Sequence, residues 1–332
     1  MNEREILYTK LKERIFSCTK ASFAELALEL FRYQYTYNSL YRTFADSFKV
    51  VPGEVNTIEK IPFLPIEFFK THKIITGEQK EEIVFSSSGT TGPAQSRHYV
   101  TDVSIYQTSF RKGLELFYGD MKDHAIFALL PSYLEREGSS LIYMVNDMIK
   151  HSAAGSDFYL DQSEQLTGTL LANEEAGRKN LLLGVSYALL DLAEKLDLNL
   201  KNTIVMETGG MKGRRKEMVR EELHEILCRS FGVSEIHSEY GMTELLSQAY
   251  SKGKGIFQSP PWMRVLIRDT EDPFHFLENG RTGGINVIDL ANINSCCFIA
   301  TQDLGRMHAD GSFEVLGRFD NSDVRGCNLL VE

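Results

Sequence analysis

A hydroxyl-rich and glycine-rich stretch gives the strongest chemical indication in this sequence. It reads Ser86-Ser-Ser-Gly-Thr-Thr-Gly-Pro93 and directly follows the apolar run Ile83-Val84-Phe85. Hydroxyls and open backbone N–H groups in such a loop suit the oxygens of a polyphosphate. The phosphate loop of kinases and ATPases needs a Gly-Lys-Ser/Thr ending and a following helix, whereas a proline follows the last glycine here. Because residues 96–100 have a strand pattern, we predict a strand, a nucleotide loop and a second strand.

Two further segments could contact the rest of a nucleotide. In Ser238-Glu-Tyr-Gly-Met-Thr-Glu244, an aromatic ring, a glycine, a hydroxyl and a carboxylate lie within a few residues. The carboxylate of Glu244 suits Mg2+, a hard cation that takes oxygen ligands and usually bridges a carboxylate to substrate phosphates. Upstream, Glu207-Thr-Gly-Gly210 follows the apolar run 203–206, where backbone can approach a purine closely. Each segment alone is also compatible with an ordinary turn.

Carboxylates and a cation recur near the end of the chain. Thr301-Gln-Asp-Leu-Gly305 puts Asp303 after a strand-like run, where a carboxylate can bind ribose hydroxyls. Leu316-Gly-Arg-Phe-Asp320 adds Arg318 and a second acid. Taken singly, these side chains are equally typical of surface turns. Their order along the chain therefore carries more information than any one of them.

The composition limits the classes of protein to consider. The chain has 332 residues, 42% of them hydrophobic, and a net charge of −10, which argues against bulk attraction to nucleic acid. Its five cysteines are an odd number without CxxC spacing, so they predict neither a disulfide framework nor a zinc site. The N-terminus is charged, and no apolar run approaches the ~20 residues of a membrane span. We expect a cytoplasmic protein with reduced thiols.

The elements that must position these residues follow from the hydrophobic pattern. We divide a single large domain into a helical region at 1–60, α/β subdomains at 61–254 and a β-rich portion at 255–332. In the first region, Ser22-Phe-Ala-Glu25 has the pattern of a capping box that opens a helix. In the second, strand-like runs alternate with helical patterns, which is typical of a layered α/β domain. In the third, turn residues such as Asp310-Gly311 separate short strands.

Taken in order, the motifs resemble the adenylate-forming superfamily of acyl-CoA synthetases, luciferases and peptide-synthetase adenylation domains. The resemblance sharpens toward the LuxE-type acyl-protein synthetases, the fatty-acid-activating subunits of a luminescence reductase. The segments that carry it are 61–71, 83–93, 129–140 and 317–330. It implies the large N-terminal α/β domain of that fold without the mobile C-terminal domain, because only twelve residues follow Asp320. That missing domain carries the catalytic lysine of the superfamily.

The resemblance also implies roles for individual residues. The loop would hold the β and γ phosphates of ATP, Thr243 would approach the α-phosphate, and Glu244 would bind Mg2+. The loop ends in Arg97 rather than the usual lysine, and Tyr133, Ser139 and Ser140 fall where the acyl pocket should begin. The residues implied around the nucleotide are Ser86, Ser87, Ser88, Gly89, Thr90, Thr91, Gly92, Gly209, Gly210, Tyr240, Gly241, Asp303 and Arg318.

Cys327 separates the functional hypotheses. It lies six residues from the end, where the LuxE-type enzymes carry the cysteine that receives the acyl group. A free thiol with a pKa of about 8.5 is only slightly ionised at neutral pH, but a nearby cation such as Arg325 can lower that pKa. The sequence therefore predicts ATP-dependent and Mg2+-dependent activation of a carboxylic acid, of the fatty class, and transfer to this thiol. An acyl-reductase or acyl-carrier protein would be the partner.

Two alternatives remain open at the level of the sequence. The first is an acyl-CoA or aryl-CoA ligase of the phenylacetate type, which forms the same adenylate and passes it to coenzyme A. The second is a nucleotide-binding or scaffolding protein that has kept the pocket and lost the reaction, since the superfamily lysines are absent. Carboxylate-dependent exchange of pyrophosphate into ATP separates the second alternative from both enzymes.

Overall fold

The computed structural model describes residues 2–87, 95–131, 138–160, 162–209 and 218–319. Its α-helices are α1 (Glu3–Ile15), α2 (Phe23–Tyr37), α3 (Ser39–Ser47), α4 (Phe68–Thr71), α5 (Val103–Tyr118), α6 (Ser140–Lys150), α7 (Ser163–Glu175), α8 (Ser186–Ala193) and α9 (Arg220–Phe231). Short 3-10 helices lie at Pro52–Glu54, Ile58–Lys60, Met121–Asp123 and Leu290–Asn294. The predicted mixture of helices and strands in an α/β fold is confirmed.

The strands belong to two compact units that differ in architecture. They are β1 (Leu64–Pro65), β2 (Ile83–Ser86), β3 (Arg97–Val100), β4 (His124–Leu129), β5 (Asp157–Phe158), β6 (Lys179–Gly184), β7 (Thr203–Glu207), β8 (His237–Tyr240), β9 (Ala249–Ser251), β10 (Ile256–Gln258), β11 (Met263–Arg268), β12 (Thr282–Asp289), β13 (Phe298–Met307) and β14 (Phe313–Arg318). Residues up to Lys80 and from Pro261 onward form unit 1, and residues 81–260 form unit 2. The boundaries at 60 and 254, which come from changes in sequence pattern, stay predictions.

Unit 2 has a sheet whose central strands are parallel. The strand order is β10-β9-β8-β7-β6-β4-β5, in which β4 to β8 run parallel and β9 and β10 are antiparallel. All six residues of β4 and five of the six in β6 are buried, as expected for parallel strands that are covered on both faces. The helices α6 to α9 alternate with these strands along the chain. As a result, the loops that follow β6, β7 and β8 lie at one edge of the sheet.

Unit 1 combines the first helices with an antiparallel sheet. Its strand order is β11-β12-β13-β14, and β1 pairs in parallel with β13. Aromatic side chains join the helices to this sheet, since the ring of Tyr41 on α3 stacks on Phe298 with centroids 6.0 Å apart. The predicted Asp310-Gly311 turn is confirmed between β13 and β14. Gly311 adopts a positive φ of 88°, a conformation that favours glycine.

The predicted capping box at Ser22 is wrong, although a helix does begin there. Helix α2 does begin after Ser22, but the serine side chain makes no capping hydrogen bond to the helix. Its hydroxyl accepts a hydrogen bond from the backbone N–H of Thr19 at 3.0 Å instead. A capping box is present at α1, where Asn2 and Glu5 cap each other's backbone N–H groups. The local pattern could not reveal that the preceding turn competes for the Ser22 hydroxyl.

Gln34 connects α2 to the segment before β13 inside unit 1. Its side chain is fully buried, and Nε2 donates to the carbonyls of Asn292 and Ile293, both at 3.0 Å. Its Oε1 accepts from the N–H of Cys297 at 2.9 Å. Within the described part of the chain, no helix is both long and apolar enough to cross a membrane.

We predict that Gln34→Leu lowers the free energy of unfolding by about 2 to 4 kcal/mol, because the substitution leaves buried backbone groups without this partner. Chemical denaturation of purified protein measures this difference. The matched control is Gln165→Leu at an exposed position of α7, where we expect a change within about 0.5 kcal/mol. Equal effects of the two substitutions would contradict the assigned role of Gln34.

Candidate active site

The stem of the predicted nucleotide loop is a β-hairpin. Strands β2 and β3 pair antiparallel with Ser86 opposite Arg97, which confirms the two predicted strands, while residues 88–94 of the predicted nucleotide loop lie outside the described residues. Two hydrogen bonds join the strands beside the loop. Ser87 N–H donates to the carbonyl of Ser96 at 3.1 Å, and the Ser87 hydroxyl accepts from Ser96 N–H at 3.1 Å. The N–H of Ser86 donates to the carbonyl of Gly138 at 2.7 Å. Both ends of the loop therefore have defined positions in unit 2.

A buried histidine joins this hairpin to the second predicted motif. His98 lies on β3, is 1% exposed, and its Nδ1 is 2.9 Å from the backbone carbonyl of Thr243. A carbonyl can only accept, so Nδ1 carries the proton and donates it to this bond. Burial lowers the pKa of His98 to about 4, while the hydrogen bond to Thr243 opposes this shift. The imidazole is consequently neutral at physiological pH and fixes the backbone between Tyr240 and Glu244 relative to the loop stem.

The predicted adenine segment lies at the edge of the sheet where the parallel strands end. Gly184, Glu207 and Ser238 occupy neighbouring register positions on β6, β7 and β8. Just beyond β7, Thr208 N–H donates to the carbonyl of Gly184 at 3.0 Å, and Gly209 has a positive φ of 73° and is exposed. An exposed glycine backbone at this edge can be approached closely by a planar ligand.

Glu207 is a buried carboxylate that its neighbours keep ionised. Burial opposes the charge, but surrounding donors, with His224 foremost, and the guanidinium of Arg220 together lower its pKa below the ordinary value. Its Oε1 lies 3.8 Å from His224 Nε2 and 4.0 Å from Arg220 Nε. Its Oε2 accepts from Gly209 N–H at 2.5 Å and from the Ser186 hydroxyl at 3.4 Å. The carboxylate therefore holds the glycine turn in place.

The Tyr-Gly-Met-Thr-Glu segment follows β8 at the same edge. Tyr240 is 9% exposed and its ring lies 5.9 Å from that of Phe257. Gly241 is exposed, Thr243 is half-buried and Glu244 is 6% exposed. The backbone turns here, as the N–H of Leu245 donates to the carbonyl of Met242 at 3.1 Å. This edge of unit 2 thus brings together the predicted base, metal and α-phosphate residues and the loop stem.

The resemblance implies a Mg2+ ion, and the number of side chains that could bind it indicates what kind of metal site they could form. Within the ranges that the structure describes, no group of three or more His, Cys, Asp or Glu residues could form a complete metal site. Magnesium usually needs only one or two carboxylates, because substrate phosphates and water complete its coordination. Glu244 therefore fits an ion that arrives with a nucleotide, and does not fit a permanently bound metal.

Two predicted ribose contacts pair with each other in unit 1. Asp303 on β13 stands opposite Arg318 on β14, and Arg318 Nε lies 3.1 Å from Asp303 Oδ1. The carboxylate is 6% exposed and its backbone N–H donates to the Thr301 hydroxyl at 3.1 Å. The Arg318 side chain remains 78% exposed. The antiparallel register, which the sequence alone did not specify, makes this pair.

Several predicted positions fall outside the described residues. Two acyl-pocket candidates are described: the Ser139 hydroxyl caps α6 by accepting from Ile142 N–H at 3.4 Å, and the Ser140 carbonyl accepts from the Tyr106 hydroxyl at 3.0 Å. Their role in a pocket stays a prediction. The positions outside the described residues are Ser88, Gly89, Thr90, Thr91, Gly92, Tyr133, Gly210, Asp320 and Cys327.

Sequence reasoning missed two residues at this edge. His98 was passed over as part of a strand pattern, although the alternation over Arg97–Val100 puts it on the buried side with Val100. Glu239 belongs to the motif around Tyr240, but the motif by itself assigns it no role. A polar residue at an inward position of a strand was the available indication for His98, whereas the alternation along β8 gave no such indication for Glu239.

Part of the chain is similar in sequence to a known protein family. A family model described as acyl-protein synthetase, LuxE, matches residues 16–125, which are 110 of the 332 residues. The predicted resemblance to LuxE-type proteins is confirmed by this match. No curated protein matches the chain in sequence.

Solved structures with a similar fold include a CoA ligase and the protein MatB. A 2-hydroxyisobutyryl-CoA ligase in an open conformation, in complex with 2-HIB-AMP and CoA, has a TM-score of 0.65 at 11% identity; the alignment covers 93% of this chain and 78% of that one. ATP-bound MatB from Rhodopseudomonas palustris has a TM-score of 0.52 at 17% identity over 73% of this chain. The chain spans about half of MatB, since the match covers 49% of that protein. The predicted adenylate-forming fold is confirmed.

We predict that His98→Gln flattens the dependence of stability on pH. The pKa of His98 is lowered to about 4 in the folded chain, so the unfolded chain, with a pKa near 6.5, binds the proton more tightly. Stability is therefore lost as pH falls from about 6.5 to 4, by on the order of 3 kcal/mol from this residue. Unfolding curves at several pH values measure the slope. The control is His275→Gln at an exposed position, which should leave the slope unchanged.

If wild type and His98→Gln lose stability in parallel over that range, then acid sensitivity comes from other groups. His237, whose pKa burial also lowers to about 4, supplies the obvious second contribution. A His98→Gln, His237→Gln double variant separates the two residues.

Proposed function

We propose that this protein is a ligase that uses ATP to activate a carboxylic acid as an acyl-adenylate and then transfers the acyl group to a cysteine thiol. In the first step a carboxylate oxygen attacks the α-phosphorus, the bond to the β-phosphate breaks, and pyrophosphate leaves. In the second step the thiol sulfur attacks the acyl carbon, the bond to the phosphate oxygen breaks, and AMP leaves. Cys327 is the proposed acceptor, and a reductase or an acyl carrier is the proposed recipient.

A single contact carries most of the support. The His98–Thr243 hydrogen bond brings the stem of the hydroxyl-rich loop and the Tyr-Gly-Met-Thr-Glu segment to one edge of unit 2. A triphosphate held by the loop would thereby lie near the carboxylate of Glu244. Activation of a carboxylate requires this juxtaposition, because charge that develops on the phosphates must be stabilised where the acid attacks.

The remaining residues have proposed roles around the nucleotide. Residues 86–92 would donate hydrogen bonds to the β and γ phosphates, and Mg2+ held at Glu244 would offset their charge. Gly209 and Gly210 with Tyr240 and Gly241 would line the adenine site, and Thr243 would contact the α-phosphate. In unit 1, Asp303 would accept from the ribose hydroxyls, with Arg318 beside it. The fatty class of the acid rests on the resemblance to LuxE-type proteins.

A CoA ligase is the second candidate, and a specific observation favours it. The structure of 2-hydroxyisobutyryl-CoA ligase, which aligns with 93% of this chain, contains both an acyl-AMP and CoA. The two functions share the adenylate and differ only in the thiol that accepts the acyl group. Mass measurement of the protein distinguishes them directly.

We predict that incubation with ATP, Mg2+ and a panel of carboxylic acids adds one acyl mass to the peptide that contains Cys327. The panel includes short, branched, aromatic and long-chain acids, and intact-mass spectrometry followed by peptide mapping locates the adduct. Cys327→Ser should abolish the hydroxylamine-sensitive adduct, whereas the matched control Cys228→Ser should retain it. Cys228 is half-buried on α9. In a parallel incubation with added coenzyme A, formation of acyl-CoA without any adduct on the protein would instead establish the CoA ligase.

We predict that Glu244→Gln reduces acid-dependent pyrophosphate exchange by about 10²-fold or more, because the loss of one stabilising group for developing charge has effects of that size. The amide keeps the shape of the side chain but removes the charge that a Mg2+–nucleotide complex needs. Exchange of labelled pyrophosphate into ATP measures the effect, with Glu225→Gln on the exposed face of α9 as the control. Full exchange in the Glu244 variant would exclude this residue from the metal site.

A further inference from the structure

Glu239 is a carboxyl group at the ligand edge that the proposed nucleotide site does not use. It lies on β8 between Ser238 and Tyr240, and alternation along the strand puts its side chain on the opposite face from theirs. Its carboxylate oxygen Oε1 lies directly beside Gly241, where a Cβ atom would overlap it. Because Gly241 is exposed and Glu239 is only half-buried, the carboxyl group reaches the edge at which the motif ends.

The described surroundings of Glu239 are largely aromatic. His237 lies on the same face of β8, and Lys252 Nζ is 5.6 Å from the centroid of the Tyr118 ring. On β9 it stands opposite Tyr250, and on α5 it faces Tyr106 and Tyr118. The Tyr118 and Tyr250 rings contact each other with centroids 5.5 Å apart. On β7 the nearest charged group is the ionised Glu207. Among the described groups, the negative charge of Glu207 disfavours a carboxylate at this position.

This environment gives Glu239 the acidity of a base that works near neutral pH. Burial, reinforced by the negative charge of Glu207, raises the pKa of Glu239 to about 8. A general base is most effective when its pKa lies near the working pH. The unperturbed pKa of a cysteine thiol, about 8.5, is closely matched to this value. Most carboxylates in proteins are far too acidic to accept a thiol proton efficiently.

Only one step of the proposed reaction needs such a proton acceptor. Adenylate formation joins a carboxylate to phosphorus and moves no proton, whereas acyl transfer to a thiol releases one. The position of Glu239, one residue from Tyr240 but on the other face of β8, separates it from the proposed adenine side. Its carboxyl group borders the exposed backbone at Gly241.

We infer that Glu239 is the general base of the acyl-transfer step. A Glu239 carboxylate oxygen takes the proton from the acceptor thiol as sulfur attacks the acyl carbon of the adenylate. The S–C bond forms, the C–O bond to phosphate breaks, and AMP leaves with that electron pair. Glu239 then returns its proton to solvent. The inference rests on the proposed function, because it assigns a residue to the second half of that reaction.

The test compares the two half-reactions in Glu239→Gln, which keeps size and hydrogen bonding and removes the base. Single-turnover mass measurement gives the rate of thioester formation, and pyrophosphate exchange gives adenylate formation. At pH 7 we expect the ratio of transfer to adenylation to fall by about 10²-fold or more. The wild-type transfer rate should rise with pH and level off near pH 8. In the variant the rate should keep rising with thiol ionisation, so that the two proteins differ by less than about tenfold at pH 9.5.

Two further variants make the result interpretable. Glu239→Asp retains a carboxylate and should restore part of the lost ratio, which a structural defect would not allow. Glu225→Gln is the matched acid-to-amide control, since Glu225 is an exposed acid on α9. Its ratio should equal that of wild type. Thermal unfolding midpoints verify that each variant is folded.

The outcomes separate the inference from the proposed function. A ratio in Glu239→Gln within about threefold of wild type at pH 7 would overturn the inference and leave the ligase function intact. An equal loss of exchange and transfer would also overturn it, because Glu239 would then serve substrate binding. Absence of exchange in the wild type with every acid tested would overturn the ligase function, and the inference with it.

Discussion

The buried hydrogen bond from His98 to the carbonyl of Thr243 is the constraint on which the candidate site of unit 2 depends. It joins a two-stranded hairpin to the turn after β8, although 145 residues separate the partners in sequence. A neutral imidazole suits this task because burial disfavours its charged form, and the carbonyl then has a definite donor. Without this contact, neither the pairing within the hairpin nor the register of β8 would specify how the loop faces the motif.

Two carboxylates on adjacent strands acquire opposite properties from their surroundings. Glu207 is buried among donors and beside a guanidinium, so its pKa is lowered and it stays charged. For Glu239, burial, reinforced by the negative charge of Glu207, raises the pKa to about 8. The first holds the glycine turn at Gly209, and the second is free to exchange a proton near neutral pH. Neighbouring acids whose pKa values are shifted in opposite directions are typical of functional sites, in which one carboxyl group has a structural role and the other a chemical one.

Much of the fold could be read from local patterns. The strand, loop and strand around residues 83–100 were predicted because apolar runs and a glycine-rich turn determine them over short distances. The predicted capping box at Ser22 is wrong because the backbone N–H of Thr19 in the preceding turn donates to the Ser22 hydroxyl, which propensity cannot reveal. Asp303 and Arg318 stay predicted ribose contacts, and only the antiparallel register shows that they pair with each other.

The sequence by itself determined which chemical groups are present and in what order, because hydroxyl-rich and glycine-rich motifs and hydrophobic periodicity are local properties of the chain. It could not determine which of them face one another. Only the tertiary structure decided that His98 meets Thr243 and that Glu239 lies beside Gly241 among tyrosines. Distances, burial and pKa values arise from contacts between residues that are distant along the chain, and strand register and helix packing are what set those contacts.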